Sequence, residues 1–385
     1  MKNLLVLTSR IPYPPDRGDK VRTFFFLKEL GKLYNVTLLS LIEDPGELKF
    51  KDELLNYCDD VYLFHKSKKQ HLIQFAKGFF NRIPFQVNYY NFPSLKKRIR
   101  DVVEEKDIEI IYTHLIRMAP MVQDLNIRKI IDYTDAISME YERSLPHRKD
   151  LITKLFFGWE MKRTRKYEKQ IINQFDQGWF ISDEDIINLG LQDNHKVLRV
   201  PNPVEIYEPK SDYSSTGKII FVGNMSIAHN IAAVEFVVNK LMPKILLKMD
   251  LEFHVLGAHP VESVKALHGK NNTIIHGFVE DIYSELRNAD VFLAPMFFSA
   301  GVQNKVLEAM AVGLPVVTTE NVAKSIMAES GEQLIAAKET NDFVDSVLKL
   351  MGSEDTRRAL GEAGYEHVKA HFSIQCLQEI LKENL

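Results

Sequence analysis

Lys305 and Glu308 stand three residues apart in the run 300–319, A-G-V-Q-N-K-V-L-E-A-M-A-V-G-L-P-V-V-T-T. That spacing is close to one helical turn, so an ammonium and a carboxylate share a helix face. An ammonium can supply a point charge to a ligand, and a carboxylate can accept hydrogen bonds from one. The same spacing on an ordinary helix surface makes only a solvated ion pair. The flanks favour the first use. The segments 289–295 and 316–319 read as buried strands, Gly301 opens the turn, and Gly313-Leu314-Pro315 ends the helix. In parallel α/β sheets, ligands sit at the carboxyl ends of strands and against helix N-termini.

Other polar residues fall at comparable places. His114 follows the strand 108–112, and Gly18 lies in D-R-G-D-K after the strand 4–8. Gly223 and Asn224 leave the strand 219–222, and Asp132 and Asp135 follow 129–131 in D-Y-T-D. These two acids suit a loop-organising or acceptor-binding role; two carboxylates alone do not make a metal site, and no metal site is assigned. Asn202 in V-P-N-P and Asp281 in G-F-V-E-D suit loop organisation or a more remote ligand contact.

The elements that must position these residues alternate. Continuous apolar strands at 4–8, 36–41, 61–64, 108–112, 129–131 and 179–182 are separated by helical stretches at 20–30, 45–57, 115–125 and 152–175. In the first helix Phe24, Phe25, Phe26 and Leu27 are expected to face inward. The pattern restarts at 218 with strands at 219–222, 251–256, 273–277, 289–295 and 316–319, and helices at 230–246, 280–287, 341–350, 355–370 and 374–382. Uninterrupted apolar strands between helices predict parallel sheets covered on both faces. At 385 residues, two such domains are expected. We place them at 1–207 and 218–366, with the polar stretch 208–217 as linker and 367–385 returning to the first domain.

The net charge of −3 divides into +4 over residues 1–210 and −7 over 211–385. Residues 61–100 contain nine Lys/Arg and no Asp or Glu, interleaved with Phe75, Phe79, Phe80, Phe85, Tyr89, Tyr90 and Phe92. No nucleic-acid module is recognisable, and no nucleic-acid partner is expected. Residues 66–100 instead suit peripheral contact with an anionic membrane surface, or a solvated helix pair whose aromatics serve the core. Cys58 and Cys376, far apart in sequence, fit a reducing compartment. No run of 18 apolar residues suggests a membrane span. The start L-L-V-L-T-S, broken by R-I-P-Y-P-P, reads as a buried strand in preference to a signal peptide.

The stretch G-V-Q-N-K-V-L-E-A-M-A-V-G-L-P-V-V resembles the donor-binding signature of family 4 retaining glycosyltransferases. With P-Y-P-P-D-R-G-D-K-V-R and N-M-S-I-A-H-N-I-A-A-V-E-F-V, it is similar to bacterial sugar transferases associated with exopolysaccharides. The resemblance implies an α/β GT-B fold, two Rossmann-like parallel-sheet domains facing across a cleft. It implies a nucleoside diphosphate sugar donor in the second domain and a saccharide or lipid-linked saccharide acceptor against the first. No permanent cofactor and no essential metal are implied; a cytoplasmic location, or one at the inner face of the cell membrane, is expected.

Glu308 takes the family's ribose-binding position, and Gly301 and Lys305 fall where the diphosphate is received. His114 matches the histidine that hydrogen-bonds the donor sugar, Gly18 would let the first domain's loop approach the phosphate or sugar, and Gly223 and Asn224 lie on a donor-side loop. Two departures stand out. Ala300 occupies the place, eight residues before Glu308, where members commonly carry glutamate. The Arg and Lys found after the second domain's first strand are absent, which leaves Lys305, Arg17 or Lys20 to supply the cation. The resemblance also implies retention at the anomeric carbon; with no credible carboxylate pair for a covalent intermediate, a same-face reaction in which the departing phosphate helps deprotonate the acceptor is expected. Two other functions fit the same fold: a nucleotide-sugar epimerase, and a non-catalytic nucleotide-sugar-binding subunit of a polysaccharide assembly.

Overall fold

The computed structural model describes residues 1–16, 18–145, 150–297 and 302–385. Two compact units emerge. The first comprises Met1–Pro201 with Leu381–Leu385, and the second Asn202–Ile380.

The first unit is built on strands β1 (Asn3–Thr8), β2 (Asn35–Ile42), β3 (Asp60–His65), β4 (Ile110–His114), β5 (Arg128–Thr134), β6 (Gln177–Phe180) and β7 (Val197–Arg199). They form a parallel sheet in the order β3-β2-β1-β4-β5-β6-β7. The second unit contains β8 (Lys218–Val222), β9 (Glu252–Leu256), β10 (Thr273–Gly277), β11 (Val291–Ala294), β12 (Val316–Thr319) and β13 (Ile335–Ala337). Its sheet runs β10-β9-β8-β11-β12-β13, again parallel throughout. The order reverses between β1 and β4 in one sheet, and between β8 and β11 in the other. Crossovers leave these neighbouring strand ends in opposite directions, which opens a crevice suited to ligands.

Local chemistry changed several expected elements. In the Gly18–Leu30 helix, Phe26 and Leu27 are buried with Arg22, Thr23, Glu29 and Leu30, whereas Phe24 and Phe25 are only half-buried. The helix expected at 45–57 is a 3-10 segment, Pro45–Phe50, and a single α-turn, Lys51–Leu54. Only Leu54 of these residues is buried, too little apolar surface to hold a longer helix. The expected helix 115–125 is a 3-10 stretch, Ile116–Met121, interrupted by Pro120. Proline removes an amide donor and clashes with the preceding turn. The 230–246 helix divides into Ala228–Phe236, a π-segment Val237–Leu241 and Met242–Ile245. Pro243 again lacks the donor that a continuous ladder needs. Strand β13 and the Glu320–Ser325 helix were not anticipated; at three and six residues they carry little periodic signal.

The polar stretch 208–217 packs within the second unit. Tyr213 is buried, its hydroxyl donates to the Gly313 carbonyl at 2.9 Å, and its own carbonyl accepts from Arg357 Nη2 at 2.6 Å. Gly313 holds φ 74°, and a β-carbon there would come within 2.9 Å of the tyrosine oxygen. The chain end joins the first unit: Arg128 Nη2 donates to the Asn384 carbonyl at 2.7 Å.

Candidate functional site

In the second unit, Lys305 and Glu308 lie on the Asn304–Met310 helix, which follows β11 on the reversing side of the sheet. Val306, Leu307, Ala309 and Met310 are its buried residues. Lys305 and Glu308 are half-buried. Lys305 Nζ donates to Asn230 Oδ1 at 2.5 Å and lies 5.5 Å from the centre of the Phe221 ring. Asn230 Nδ2 in turn donates to the Asn224 carbonyl at 2.9 Å. Burial lowers the Lys305 ammonium to about 8, opposed by attraction to Glu308. Burial raises the Glu308 carboxyl above the usual carboxylate range, and Lys305 opposes that shift. The helix therefore holds an incompletely compensated cation and a carboxyl that gains from hydrogen-bond donors.

The end of β8 supplies the floor. A β-carbon at Gly223 would come within 2.8 Å of Asn230 Nδ2, so the absence of a side chain admits the asparagine. A β-carbon at Gly257, whose φ is 144°, would lie 1.7 Å from the Gly223 carbonyl oxygen. The ends of β8 and β9 thus approach backbone to backbone, which only glycine permits. Asn224 Oδ1 accepts from the Ser226 amide at 2.9 Å and hydroxyl at 2.7 Å, forming the turn. Beside it, burial and then Lys305 lower the His229 imidazole below its usual range. Tyr283 is pushed up to about 12 by burial and then by Glu308, and its ring centre lies 4.0 Å from that of Tyr207.

His114 ends β4 in the first unit, beside β1. It is buried, and its Nε2 makes no hydrogen bond among the described residues. Its Nδ1 stands 3.6 Å from Asp132 Oδ2. Asp132 receives Arg22 Nε at 2.7 Å and Nη2 at 3.1 Å, together with the Tyr112 hydroxyl. Burial favours protonation of Asp132, but Arg22 and then His114 hold the carboxyl well below the usual range. The chain turns sharply after the histidine: Leu115 has φ 71° and ψ 143°, and its amide donates to the Asp132 carbonyl at 2.8 Å. A β-carbon in such a conformation costs about 1–3 kcal/mol, which the surrounding contacts must hold in place.

The sequence-selected residues therefore form separate groups. Lys305, Gly223 and Asn224 meet through Asn230, with Glu308 on the same helix; His114 joins Asp132. Gly18 begins a helix with open space where a β-carbon would point, so the local fold does not require glycine there. Lys20 is paired with Asp16 at 3.2 Å. Asp281 caps the Ile282–Arg287 helix by accepting from the Ser284 amide at 2.9 Å. Gly301, Ala300 and Arg17 lie outside the described residues. Asn230 and Arg22 were missed as positioning residues. Asn230 had a signal, a polar side chain on the helix face of Ala233, Val234 and Val237, whereas Arg22 shares its face with Asp19 and Glu29 and had none.

Among the described residues, no group of three or more His, Cys, Asp or Glu gathers as a metal set. No described helix is long and apolar enough to cross a membrane. The aromatic stretch is divided: Phe85, Tyr90 and Phe92 are core residues, while Phe79 and Phe80 are exposed.

Residues 216–353 match the family model described as "Glycosyl transferases group 1". A Klebsiella pneumoniae protein described as "Uncharacterized 44.6 kDa protein in cps region" is 19% identical over the full length of both chains. Sucrose-phosphate synthase from Thermosynechococcus elongatus has a similar structure, with TM-score 0.69, 13% identity and coverage of 100% of this chain and 98% of that one. Anabaena HepE, solved with UDP, gives TM-score 0.66 and 13% identity over 100% and 99% of the two chains. The likeness extends through both parallel-sheet units. The two parallel-sheet units thus share the GT-B fold of these structures, and residues 216–353 of the second unit match the glycosyl transferase family model.

Proposed function

We propose that the chain transfers a sugar from a nucleoside diphosphate sugar to an acceptor hydroxyl, with retention at the anomeric carbon, in the synthesis of a surface or extracellular polysaccharide. The observation that carries this reading is the half-buried Lys305–Glu308 pair beyond β11, with Lys305 fixed by Asn230 at 2.5 Å. Glu308 accepts the two ribose hydroxyls. Lys305 stabilises charge as it develops on the departing diphosphate, in surroundings where water screens it little.

The acceptor oxygen bonds to the anomeric carbon as the bond to the diphosphate oxygen breaks. The acceptor proton passes to the departing phosphate. His114 hydrogen-bonds the donor sugar, a role supported by its buried ring, whose Nδ1 faces Asp132 at 3.6 Å while Nε2 makes no hydrogen bond among the described residues. Anabaena HepE has been solved with UDP-glucose, so uridine diphosphate sugars are the first donors to test.

The test is a panel of nucleotide sugars, measured for calorimetric binding and for turnover with lipid-linked and soluble saccharide acceptors. Binding weakened by Glu308→Ala, together with transfer to an acceptor, supports the proposal. A folded protein that binds no nucleoside diphosphate or its sugar overturns it. Isomerisation of the donor without acceptor would instead establish epimerase chemistry.

A further inference from the structure

A separate surface of the first unit combines exposed apolar groups with cations. The Lys68–Ala76 helix and the turn after it present Leu72, Ile73, Phe79 and Phe80, the last 91% exposed. The opening turns of the Leu151–Ile171 helix present Leu151, Ile152, Leu155 and Trp159, with Ile152 77% exposed. The sequence places these groups some seventy residues apart, yet the fold joins them through Phe85. Its ring centre lies 4.7 Å from Phe79, 5.4 Å from Phe156 and 5.8 Å from Trp159.

Arg163 fixes the seam. Its guanidinium lies 4.8 Å from the Trp159 ring centre and donates to the carbonyls of Gly78 at 2.7 Å and Asn81 at 2.8 Å. Glu160 accepts from the Phe85 amide at 2.6 Å. The apolar tip is therefore carried on a braced support.

Lys68, Lys69, Lys77, Arg82, Lys154 and Lys166 are exposed around the same two segments. Residues 61–100 contain no acid, and the two acids of the long helix, Glu160 and Glu168, are buried. A cavity of about 440 Å³ adjoins the tip, lined by Arg82, Trp159, Arg163, Lys166 and Tyr167 among others. The Tyr167 hydroxyl and Arg163 Nε are buried and make no hydrogen bond among the described residues. The Arg163 side chain is only 8% exposed.

We propose that this face docks onto a bilayer carrying anionic phosphate headgroups. The aliphatic and aromatic tip enters the interfacial layer, the lysines lie over headgroups, and the cavity receives one phosphate. Charge decides the occupant. A second copy docked through the same patch would bring the two cation belts together. Exposed Phe79, Phe80 and Trp159 are outnumbered by exposed Leu72, Ile73, Leu151, Ile152 and Leu155, aliphatic groups that stacking bases of single-stranded nucleic acid would not bury. Lipid satisfies both the apolar and the cationic parts. This partner goes beyond the donor chemistry and does not depend on it.

The test uses flotation of the full-length protein with phosphatidylglycerol-containing vesicles and with pure phosphatidylcholine vesicles, at low and high salt, without donor. Phe80→Ser/Ile152→Ser removes exposed apolar groups, while Arg82→Glu/Lys166→Glu reverses the cavity charge. Thermal melting checks that both variants fold. The expected result is binding to anionic vesicles at low salt, at least about tenfold weaker with neutral vesicles and in either double variant. Absence of binding at low salt overturns the proposal, as does equal binding to both vesicle types or by all variants. If glycerol phosphate binds while vesicles do not, the cavity is a soluble-phosphate site and the bilayer proposal fails. A dimer abolished by Phe80→Ser, without vesicle binding, assigns the patch to self-association and likewise overturns it.

Discussion

Lys305 Nζ and Asn230 Oδ1 lie 2.5 Å apart, joining the helix after β11 to the helix after β8. The same asparagine donates to the Asn224 carbonyl, so one carboxamide fixes both the cation and the adjoining turn. Asn230→Leu leaves the ammonium without that acceptor. Nucleoside diphosphate affinity is expected to fall about tenfold, the scale of a lost hydrogen bond to a charged group. Calorimetry on a variant with unchanged circular dichroism checks this.

The lowered value of Lys305, about 8, is expected to make donor affinity depend on pH. Diphosphate favours the ammonium, so binding below full protonation takes up a proton. Affinity should be highest at neutral pH and decline as pH rises through about 8, by up to about tenfold per unit. Lys305→Arg should flatten the profile, because guanidinium remains charged throughout this window. A wild-type profile that rises with pH would contradict the assignment.

Removal of the Glu308 carboxylate separates ribose recognition from fold. Glu308→Ala is expected to weaken binding of nucleoside diphosphates by about ten- to a hundredfold, from the loss of one or two charge-assisted hydrogen bonds. Inorganic diphosphate should be affected far less. Unchanged nucleotide affinity in a folded variant would exclude the ribose role.

His114→Ala tests the other unit. Turnover should fall about a hundredfold, comparable with removal of one transition-state hydrogen-bond donor. Donor affinity should change little. Rapid binding measurements beside steady-state turnover divide the two effects, and a pure loss of affinity would reject the catalytic assignment.

The first unit also contains opposed pH effects. Asp132, held low by Arg22 against its burial, adds stability above the ordinary carboxylate range and loses it as pH falls through its lowered value. Glu160 and Glu168 are raised by burial to about 7. Between their unfolded values and 7 the folded state binds more protons, so their contribution to stability falls as pH rises across that interval, by at most about 1.4 kcal/mol per unit for each. Glu168→Gln should flatten denaturant-measured stability over this range. Asp132→Ala should cost about 3–5 kcal/mol by leaving Arg22 buried without its carboxylate partner. Unfolding measured at neutral pH gives that value.

The alternation of apolar strands and helices determined both parallel sheets, because burial on two faces demands uninterrupted apolar runs. Local spacing also placed Lys305 and Glu308 on one helix and His114 at a strand end. It could not settle the 115–125 segment: apolar content favoured a helix, while Pro120 and the Leu115 backbone imposed a tighter path. Nor did the polarity of 208–217 reveal that Tyr213 and Arg357 bind that stretch to the second unit. Asn230 with Lys305, Arg22 with Asp132, and Phe85 with Trp159 are pairings across long sequence separations. Sequence by itself set the elements and their polar ends, through periodicity and backbone chemistry. Only the tertiary structure decided which polar groups were neutralised, which were left uncommitted, and which aromatics stayed exposed, because desolvation and pairing depend on neighbours brought together by folding.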